Sequence, residues 1–361
     1  MKKLGILTGG GDAPGLNAVI RAAVITAQHD YECDVIGIRS GFDGFLQPDG
    51  LIPLTTSAVE DILPKGGTIL GAANRGNPFA RRVVRNGKEL IEDVSDQVIA
   101  KIRELNLDAL IVVGGDGTLG IARDLFEKGV PTIGVPKTID NDVGGTEATF
   151  GFDTALNIAV EAIDRLRTTA ESHQRVMLLE LMGRDAGFIA LHAGLSGGAD
   201  VILIPEIPFS PQIVAEKVKE RHKQGQLDSI IVVSEGAMPI GGKQVYSRRG
   251  DELHVPRLGG ISHDIGAFLE TECQTETRVT ILGHIQRGGI PTAFDRWLAT
   301  EFGAESVRIA AAGAFGRMVA YQSGRIIDLA FADALNKPKR VDVNGDAVRT
   351  ARGLGICLGD K

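Results

Sequence analysis

Residues Val135–Phe150 read VPKTIDNDVGGTEATF, and the stretch IVVGGDGTLG at Ile111–Gly120 comes shortly before them. The earlier stretch is an apolar run that enters a glycine-rich turn, which is typical of a buried β-strand with a tight connection to a helix. Asp116 lies within that turn. This pattern predicts a parallel α/β sheet with a polar loop at the end of one of its strands.

The second stretch concentrates polar groups within a few residues. Asp140 and Asp142 flank Asn141, and an extended backbone would direct both carboxylates to one side. Lys137 and Thr138 come directly before them. One carboxylate can accept the proton of an attacking hydroxyl, while its neighbour binds a metal ion or orients the first. The alternative is that these loop carboxylates cap the next element, but the adjacent cation and hydroxyl favour a phosphoryl-transfer site.

Outside these stretches, strand-like and helix-like segments alternate. Strands are predicted at 4–8, 34–39, 108–113, 131–135, 175–181, 201–204, 229–234 and 278–282. Helices are predicted at 16–28, 94–105, from the GGDGT turn to about 128, and at 153–170, 212–223, 261–273 and 294–311. The alternation predicts parallel βαβ units, whose ligands collect beyond the carboxyl ends of the strands. The loops Gly9–Gly15, Gly114–Thr118 and Pro136–Asp142 all occupy such ends.

Asp116 lies among glycines whose backbone N–H groups suit a phosphate. A carboxylate beside a phosphate requires a cation, and Mg²⁺ supplies it when one or two carboxylates and phosphate oxygens hold the ion. A turn aspartate that bonds its own backbone is the alternative. The neighbouring glycines and the Asp140–Asp142 pair favour the metal site.

Basic side chains recur at or near strand ends in the second half of the chain. They are Arg175, Arg184, Arg278, His284 and Arg287. Several guanidinium groups at strand ends indicate a sugar-phosphate pocket, since their planar fork suits phosphate. His284 has the alternative of a satisfied core histidine. In the first half, Arg75 lies on the glycine- and asparagine-rich loop Gly66–Phe79, where phosphate contact and solvated surface are both open.

Length, charge and cysteine content limit the class of protein. The 361 residues exceed the usual size of one hydrophobic core, so two lobes are expected. The 39 Lys and Arg against 46 Asp and Glu give a net charge of −7, which argues against nucleic acid as a partner. Cys33, Cys273 and Cys357 suggest neither disulfides nor zinc. With no membrane-spanning run and no signal peptide, a cytoplasmic location is expected.

Seven motifs, in chain order, carry a resemblance to a known family. They are GGGDAPGLNAVIR, GGDGT, PKTIDND, SHQRVMLLELMGR, EGA, ETRVTILGHIQRGG and FDRWLA, and they extend from residue 4 to about residue 300. The chain resembles the phosphofructokinases of the bacterial type A superfamily, which includes users of ATP and users of pyrophosphate. The resemblance implies Mg²⁺-dependent phosphorylation of fructose 6-phosphate to fructose 1,6-bisphosphate.

The resemblance also implies an architecture of two Rossmann-like three-layer α/β/α lobes with the active site in the cleft between them. Residues 1–150 and about 286–336 would form the lobe that binds the donor. Residues 151–285 and about 337–361 would form the lobe that binds the sugar phosphate. Arg175 and Arg278 resemble arginines that family members donate from a neighbouring subunit, which implies a homo-oligomer, commonly a tetramer or dimer.

The resemblance implies functional roles for the residues of this sequence that match the motifs of the family. Asp140 resembles the base that activates the sugar 1-hydroxyl, and the residues implied in catalysis are Asp140, Asp142, Thr138 and Arg184. The residues implied in donor binding are Gly11, Arg75, Gly115, Asp116, Gly117, Thr118 and Lys137, with Asp116 as the metal ligand. The residues implied in sugar-phosphate binding are Thr138, Ile139, Asp140, Arg175, Met182, Gly183, Arg184, Glu235, Arg278, His284, Ile285, Gln286 and Arg287.

Two positions point to different phosphoryl donors. Family members restricted to pyrophosphate usually carry an acid at the position of Gly117, where it blocks the α-phosphate of a nucleotide. Lys137, in contrast, resembles the pyrophosphate users. Because glycine removes both bulk and negative charge, we expect ATP as the donor, with pyrophosphate or ADP as the alternative.

Two other classes also fit part of the sequence. Diacylglycerol- and NAD-kinase-like enzymes use GGDGT but would lack TIDND and the arginines of the second half. A non-catalytic sensor of sugar phosphates or nucleotides would bind without turnover. The intact set of Asp116, Asp140 and Asp142 argues against the sensor.

Overall fold

The computed structural model describes residues 1–72, 76–85, 88–248 and 257–361. The strands are β1 Lys3–Thr8, β2 Asp34–Ile38, β3 Leu51–Leu54, β4 Arg81–Arg85, β5 Lys88–Glu92, β6 Ala109–Gly114, β7 Thr132–Pro136, β8 Val176–Leu181, β9 Val201–Leu203, β10 Ser229–Ser234, β11 Tyr246–Arg248, β12 Arg257–Leu258, β13 Thr277–Ile281, β14 Arg317–Gln322 and β15 Arg325–Ala330. The α-helices are α1 Leu16–Tyr31, α2 Thr56–Val59, α3 Ser95–Glu104, α4 Asp116–Glu127, α5 Phe152–His173, α6 Phe188–Ser196, α7 Pro211–Lys223, α8 Ile261–Cys273, α9 Ala293–Ala311, α10 Phe331–Ala334 and α11 Asp346–Gly353.

The chain folds into two compact units, and each unit is built from two separate segments. The first unit contains Met1–Thr154 and Arg287–Pro338, and the second contains Ala155–Gln286 and Lys339–Lys361. Each unit has a sheet with parallel strands and helices between them. The α/β class predicted from the alternating pattern is therefore confirmed.

The first unit is organised around a seven-stranded sheet in the order β15-β14-β7-β6-β1-β2-β3. Its five middle strands are parallel, whereas β15 and β3 are antiparallel edge strands. From β1 the chain continues to β2 on one side of β1 in the sheet, whereas β6 and β7 lie on the opposite side of β1. The carboxyl ends of β1 and β6 thus flank a topological switch point, where ligands bind in open α/β sheets.

The residues of β6 show why this sheet is covered on both faces. Ala109, Ile111 and Val113 belong to one hydrophobic core, while Leu110 and Val112 belong to another. All six residues of the strand are buried. Because side chains alternate across a strand, a continuous apolar run supplies both cores at once.

The second unit contains a four-stranded parallel sheet in the order β13-β8-β10-β9. Its core includes Leu178 from β8, Ile231 and Val233 from β10, and Leu269 from α8. The last segment of the chain returns to this sheet, because Val201 forms a parallel bridge with Cys357. Because β10 and β13 each pair with β8 in parallel, the loops that follow these three strands lie at one edge of the sheet.

The predicted strands and helices are present, with ends shifted by at most three residues. The prediction omitted β3, α2, the antiparallel pairs β4 with β5 and β11 with β12, the β14–β15 hairpin, and the helices α10 and α11. Several of these carry mixed polar and apolar sequences, such as RRVVR in β4 and RMVAYQ in β14. Within the described ranges, no helix combines the length and apolar character needed to cross a membrane.

Candidate active site

Thr118 stands between the two glycine-rich loops that follow β1 and β6. A Cβ atom at Gly9 would lie 2.6 Å from Thr118 Cγ2, and one at Gly114 would lie 2.4 Å from Thr118 Cβ. Only glycine permits this approach at both positions. The Gly9 N–H also donates to the Val113 carbonyl at 2.8 Å, so the two loops form one surface.

Helix α4 begins at this surface and aims its N-terminus toward it. Gly115 is the N-cap residue, and Asp116 is exposed in the first turn. Free backbone N–H groups and the helix dipole favour an anion at such a terminus. A Cβ atom at Gly117 would meet no atom within 4 Å, so there is open space beside the first turn.

Lys137 follows β7 and is 2% exposed. Its ammonium group donates a hydrogen bond to the Gly11 carbonyl oxygen of the loop after β1. Burial, followed by the nearby guanidinium of Arg287, lowers the pKa of Lys137 to about 8. The carboxylates of Asp12, Asp140 and Asp142 act in the opposite direction.

Arg287 contacts the same loop from the second chain segment of the first unit, Arg287–Pro338. Its Nη1 donates to the Asp12 carbonyl oxygen at 3.1 Å, and a Cβ atom at Gly11 would lie 2.7 Å from Nη1. Two cations therefore converge on neighbouring carbonyl groups of this loop. The resemblance predicted Arg287 as a sugar-phosphate contact, and the structure brings it to the loop predicted to bind the donor.

The loop after Lys137 is held by its own side chains. The Asp140 N–H donates to Thr138 Oγ1 at 3.0 Å, and Thr149 Oγ1 donates to the Thr138 carbonyl at 2.7 Å. The Thr149 N–H donates to Asn141 Oδ1 at 3.1 Å. Asp140 is 4% exposed, so this turn presents a carboxylate in a poorly hydrated environment.

The backbone of this loop differs from the prediction, and one side chain of the loop is buried. Asn141 has φ = +54°, so the backbone is not extended and the period-two argument for Asp140 and Asp142 is wrong. Asn is among the residues that most readily adopt this conformation. The side chain of Ile139 is fully buried, so any contact it makes with an acceptor goes through its backbone.

The first turn of α4 carries one candidate ligand for Mg²⁺, the carboxylate of Asp116. In the described part of the chain, there is no cluster of three or more His, Cys, Asp and Glu side chains that could hold a metal ion. Mg²⁺ in phosphoryl-transfer sites needs only one or two carboxylates, since the phosphates and water complete its shell. The exposed Asp116 at an anion-binding helix terminus fits that requirement.

In the second unit, Gly183 and Arg184 follow β8 with φ of 147° and 52°. The Arg184 N–H donates to Glu235 Oε1 at 3.3 Å, and the Met182 N–H donates to Gln286 Oε1 at 2.8 Å. The three strand-end loops of this unit thus join through side chain to backbone bonds. The Arg184 side chain is exposed.

His284 and Ile285 are exposed, whereas Gln286 is fully buried. All three lie in a short 3-10 helix at Gly283–Arg287. His284 is therefore not a core histidine, which was the alternative reading of the sequence. The side chain of the buried Gln286 accepts the hydrogen bond from the Met182 N–H.

Arg175 and Arg278 share one carboxylate. Both guanidinium groups donate to Glu276. Arg278 itself lies on β13, where the parallel register with β8 places it opposite Met177. The hydrogen bond from Arg175, together with Arg278, lowers the pKa of Glu276. Both arginines were predicted from the sequence, whereas Glu276 was not, although it lies only two residues before Arg278.

Asn17 is a further residue that the sequence analysis missed. It is 2% exposed within α1; its Nδ2 donates to the Lys65 carbonyl at 3.1 Å, and its Oδ1 accepts from the Ile69 N–H at 2.9 Å. It thereby fixes the start of the loop that carries Arg75. Arg75 itself lies outside the described residues. The signal available in the sequence was an asparagine within an otherwise apolar helical stretch.

Comparison with known proteins identifies relatives over the whole chain. A family model described as phosphofructokinase matches residues 3–310. An ATP-dependent 6-phosphofructokinase of Chloroflexus aurantiacus is 52% identical over 361 residues, covering 100% of this chain and 98% of that protein. A pyrophosphate–fructose 6-phosphate 1-phosphotransferase of Streptomyces coelicolor is 48% identical, covering 94% of this chain and 96% of that protein.

A solved structure is similar as well. Phosphofructokinase from Saccharomyces cerevisiae superposes with a TM-score of 0.76 at 29% identity. The match covers 99% of this chain and 47% of the yeast chain, so this chain spans about half the length of that protein. The resemblance predicted from the motifs is confirmed by the family model and by these relatives.

Proposed function

This chain belongs to the phosphofructokinase family, and we propose that it transfers the γ-phosphoryl group of ATP to the 1-hydroxyl of fructose 6-phosphate. The product is fructose 1,6-bisphosphate, the glycolytic intermediate. The observation that carries ATP as the donor is the open space beside Gly117, on the first turn of α4. Full-length similarity to an ATP-dependent enzyme supports the same donor.

Asp140 is the proposed general base. It takes the proton of the 1-hydroxyl as the oxygen forms a bond to the γ-phosphorus, and the bond from phosphorus to the β–γ bridging oxygen breaks to release ADP. Thr138 orients Asp140 by accepting its backbone N–H. Asp142, half-buried two residues further on, adds negative charge that keeps nearby cations in place.

The donor phosphates are proposed to lie against the surface formed by Gly11, Gly115, Gly117 and Thr118. Lys137 is already directed at this surface and would neutralise the transferred group. Asp116 would hold Mg²⁺ together with donor phosphate oxygens, and the ion would supply charge neutralisation on the phosphates.

The sugar phosphate is proposed to bind the strand-end loops of the second unit. The contributing residues are Met182, Gly183, Arg184, Glu235, His284, Ile285 and Gln286. Arg184 would also stabilise charge during transfer. Arg175 and Arg278 would act on the site of a neighbouring copy, so we propose a homo-oligomer, either a dimer or a tetramer. We also propose a cytoplasmic location.

Pyrophosphate is the second candidate donor, favoured by a specific observation. Lys137 is buried against the donor loop, and the Streptomyces coelicolor relative, 48% identical, uses pyrophosphate by name. Space at Gly117 permits a nucleotide but does not require one. Donor choice therefore depends on whether the nucleoside moiety gains contacts that pyrophosphate lacks.

A donor panel tests the proposal. Purified protein, fructose 6-phosphate and Mg²⁺ are combined with ATP, ADP or pyrophosphate, and fructose 1,6-bisphosphate is quantified directly. The expected result is turnover with ATP at a kcat/KM well above that with the other donors. Turnover with pyrophosphate alone would overturn ATP as the donor, and binding without turnover would indicate a sensor.

A further inference from the structure

The loop at Met182–Gly187, here called the 182–187 loop, adopts an energetically costly conformation. Arg184 has φ = 52°, in the left-handed region that L-residues with long side chains rarely adopt. Such a residue is strained and persists only where surrounding contacts impose it. The proposed function assigns this loop to the sugar phosphate, so the contacts that impose its shape bear on substrate binding.

Contacts from one side come from the loop after β10. A Cβ atom at Gly236 would lie 1.9 Å from the Arg184 carbonyl oxygen, so the two backbones touch. Gln244 Nε2 donates to Asp185 Oδ1 at 2.8 Å. These contacts fix the middle of the 182–187 loop.

Glu206 fixes the end of the same loop. Its Oε1 and Oε2 accept the Gly187 N–H at 3.0 and 3.1 Å, and its Oε1 also accepts the Val341 N–H at 2.9 Å. Gly187 is the N-cap residue of α6, so the carboxylate also meets the positive end of that helix. A Cβ atom at Gly187 would lie 2.5 Å from Ile204 Cβ, which leaves room only for glycine, and 2.7 Å from Glu206 Oε2.

The segment that Glu206 binds at Val341 contacts the 182–187 loop independently. Arg340 Nη1 donates to the Asp185 carbonyl oxygen at 2.7 Å. The Lys339 ammonium lies 5.2 Å from the centre of the Phe188 ring, in the first turn of α6. The last segment of the second unit thus runs along the loop, and Glu206 bonds to both.

We propose that Glu206 is a positioning residue for sugar-phosphate binding, which joins the 182–187 loop to the segment at 339–341 and so imposes the conformation of Arg184. The inference rests on the proposed function for the identity of the ligand. Glu206 acts through the Gly187 and Val341 backbones. Its effect should therefore appear in the affinity for the sugar phosphate and leave the donor site unchanged.

The variant Glu206→Gln tests this role because it keeps the size of the side chain. The amide is neutral, so the Gly187 and Val341 N–H groups both lose a charged acceptor, and the NH₂ group cannot accept a hydrogen bond in place of the lost carboxylate oxygen. We expect the KM for fructose 6-phosphate to rise about tenfold, as for loss of a hydrogen bond to a charged group. The KM for ATP should stay within about twofold. Arg340→Met should raise the same KM by a smaller factor.

Glu216→Gln is the matched control, since Glu216 is an exposed carboxylate on α7 of the same unit. It should change neither KM. Equal changes in both KM values for Glu206→Gln, or a change in melting temperature alone, would overturn the positioning role.

A second measurement does not depend on turnover. Hydrogen–deuterium exchange should increase in Glu206→Gln for peptides covering 183–188 and 339–342, and stay unchanged elsewhere. Wild-type protein without product would refute the proposed function, while the exchange result would still decide the role of Glu206. Unchanged exchange in both peptides would contradict the inference.

Discussion

Lys137 donates a hydrogen bond from its buried ammonium to the carbonyl oxygen of Gly11, across two loops that are 126 residues apart in sequence. A buried ammonium loses its hydration, which lowers the pKa of Lys137 to about 8. Arg287, which bonds the next carbonyl of the loop, adds to the lowering. The hydrogen bond between Lys137 and Gly11 holds a cation at the place where we propose the transferred phosphoryl group to bind.

The pH dependence of donor binding tests this cation. Lys137 is charged below its pKa of about 8 and neutral above it. The charged fraction falls from about nine-tenths at pH 7 to about one-tenth at pH 9. We expect kcat/KM for ATP to fall about tenfold over that range, measured by direct quantification of product. A bound phosphate raises the pKa, so kcat should fall less.

Lys137→Met should have a lower kcat/KM for ATP at pH 7 and should lose this decline. Lys128→Met is the control, because Lys128 lies at the end of α4 and bonds Ser95 and Asp96. It should retain the wild-type profile. An unchanged decline in Lys137→Met would show that another group titrates.

Gly117 provides a test of donor choice. Gly117→Asp adds bulk and negative charge beside the proposed path of a nucleotide, so kcat/KM for ATP should fall by about a hundredfold or more, while that for pyrophosphate changes little. Gly117→Ala is the matched control. Its Cβ atom meets nothing within 4 Å, so ATP activity should persist. Equal losses with both donors in Gly117→Asp would mean that Gly117 does not select the donor.

The sequence predicted the first unit's strand ends well because they depend on local chemistry. The apolar run of β6 followed by glycines identifies a strand and a turn without knowledge of the rest of the chain. The conformation of Asn141 was not predictable, because a left-handed residue in a polar loop leaves no periodic signal. The bonds that select it come from Thr149, eight residues away.

Residues that act through distant backbones were missed for a similar reason. Glu206 bonds Gly187 and Val341, which are separated from it by 19 and 135 residues. As a lone carboxylate in the sequence, it cannot be distinguished from surface charge. Asp295 belongs to the same class, since its partner Thr154 is 141 residues away.

The burial of Asp295 leads to a prediction about how stability depends on pH. It is fully buried at the start of α9 and accepts hydrogen bonds from Thr154 Oγ1 at 2.6 Å and Thr154 N–H at 2.8 Å. Burial, which these bonds only partly offset, raises the pKa of Asp295 from 3.8 to about 6. Between these values the folded protein holds a proton that the unfolded chain has lost, so this group's contribution to stability falls as pH rises from about 4 to 6.

The loss amounts to about 3 kcal/mol at neutral pH. Asp295→Asn cannot ionise, so the difference in urea midpoint between variant and wild type should shift in favour of the variant between pH 4 and 6. Asp49→Asn, at an exposed position, serves as the control and should show no such shift. A difference that stays constant over this range would contradict the raised pKa.

The most direct test of the account compares wild-type protein with Asp140→Asn in the formation of fructose 1,6-bisphosphate from ATP and fructose 6-phosphate. Asparagine is nearly the same size but cannot accept the proton. We expect kcat to fall by about 10²–10⁴ with both substrates still bound. Asp124→Asn, which removes a surface carboxylate that pairs with Arg123, should keep wild-type kcat. Turnover by Asp140→Asn within about tenfold of wild type would contradict the assignment of Asp140 as the base, and absence of product from wild-type protein would contradict the proposed reaction.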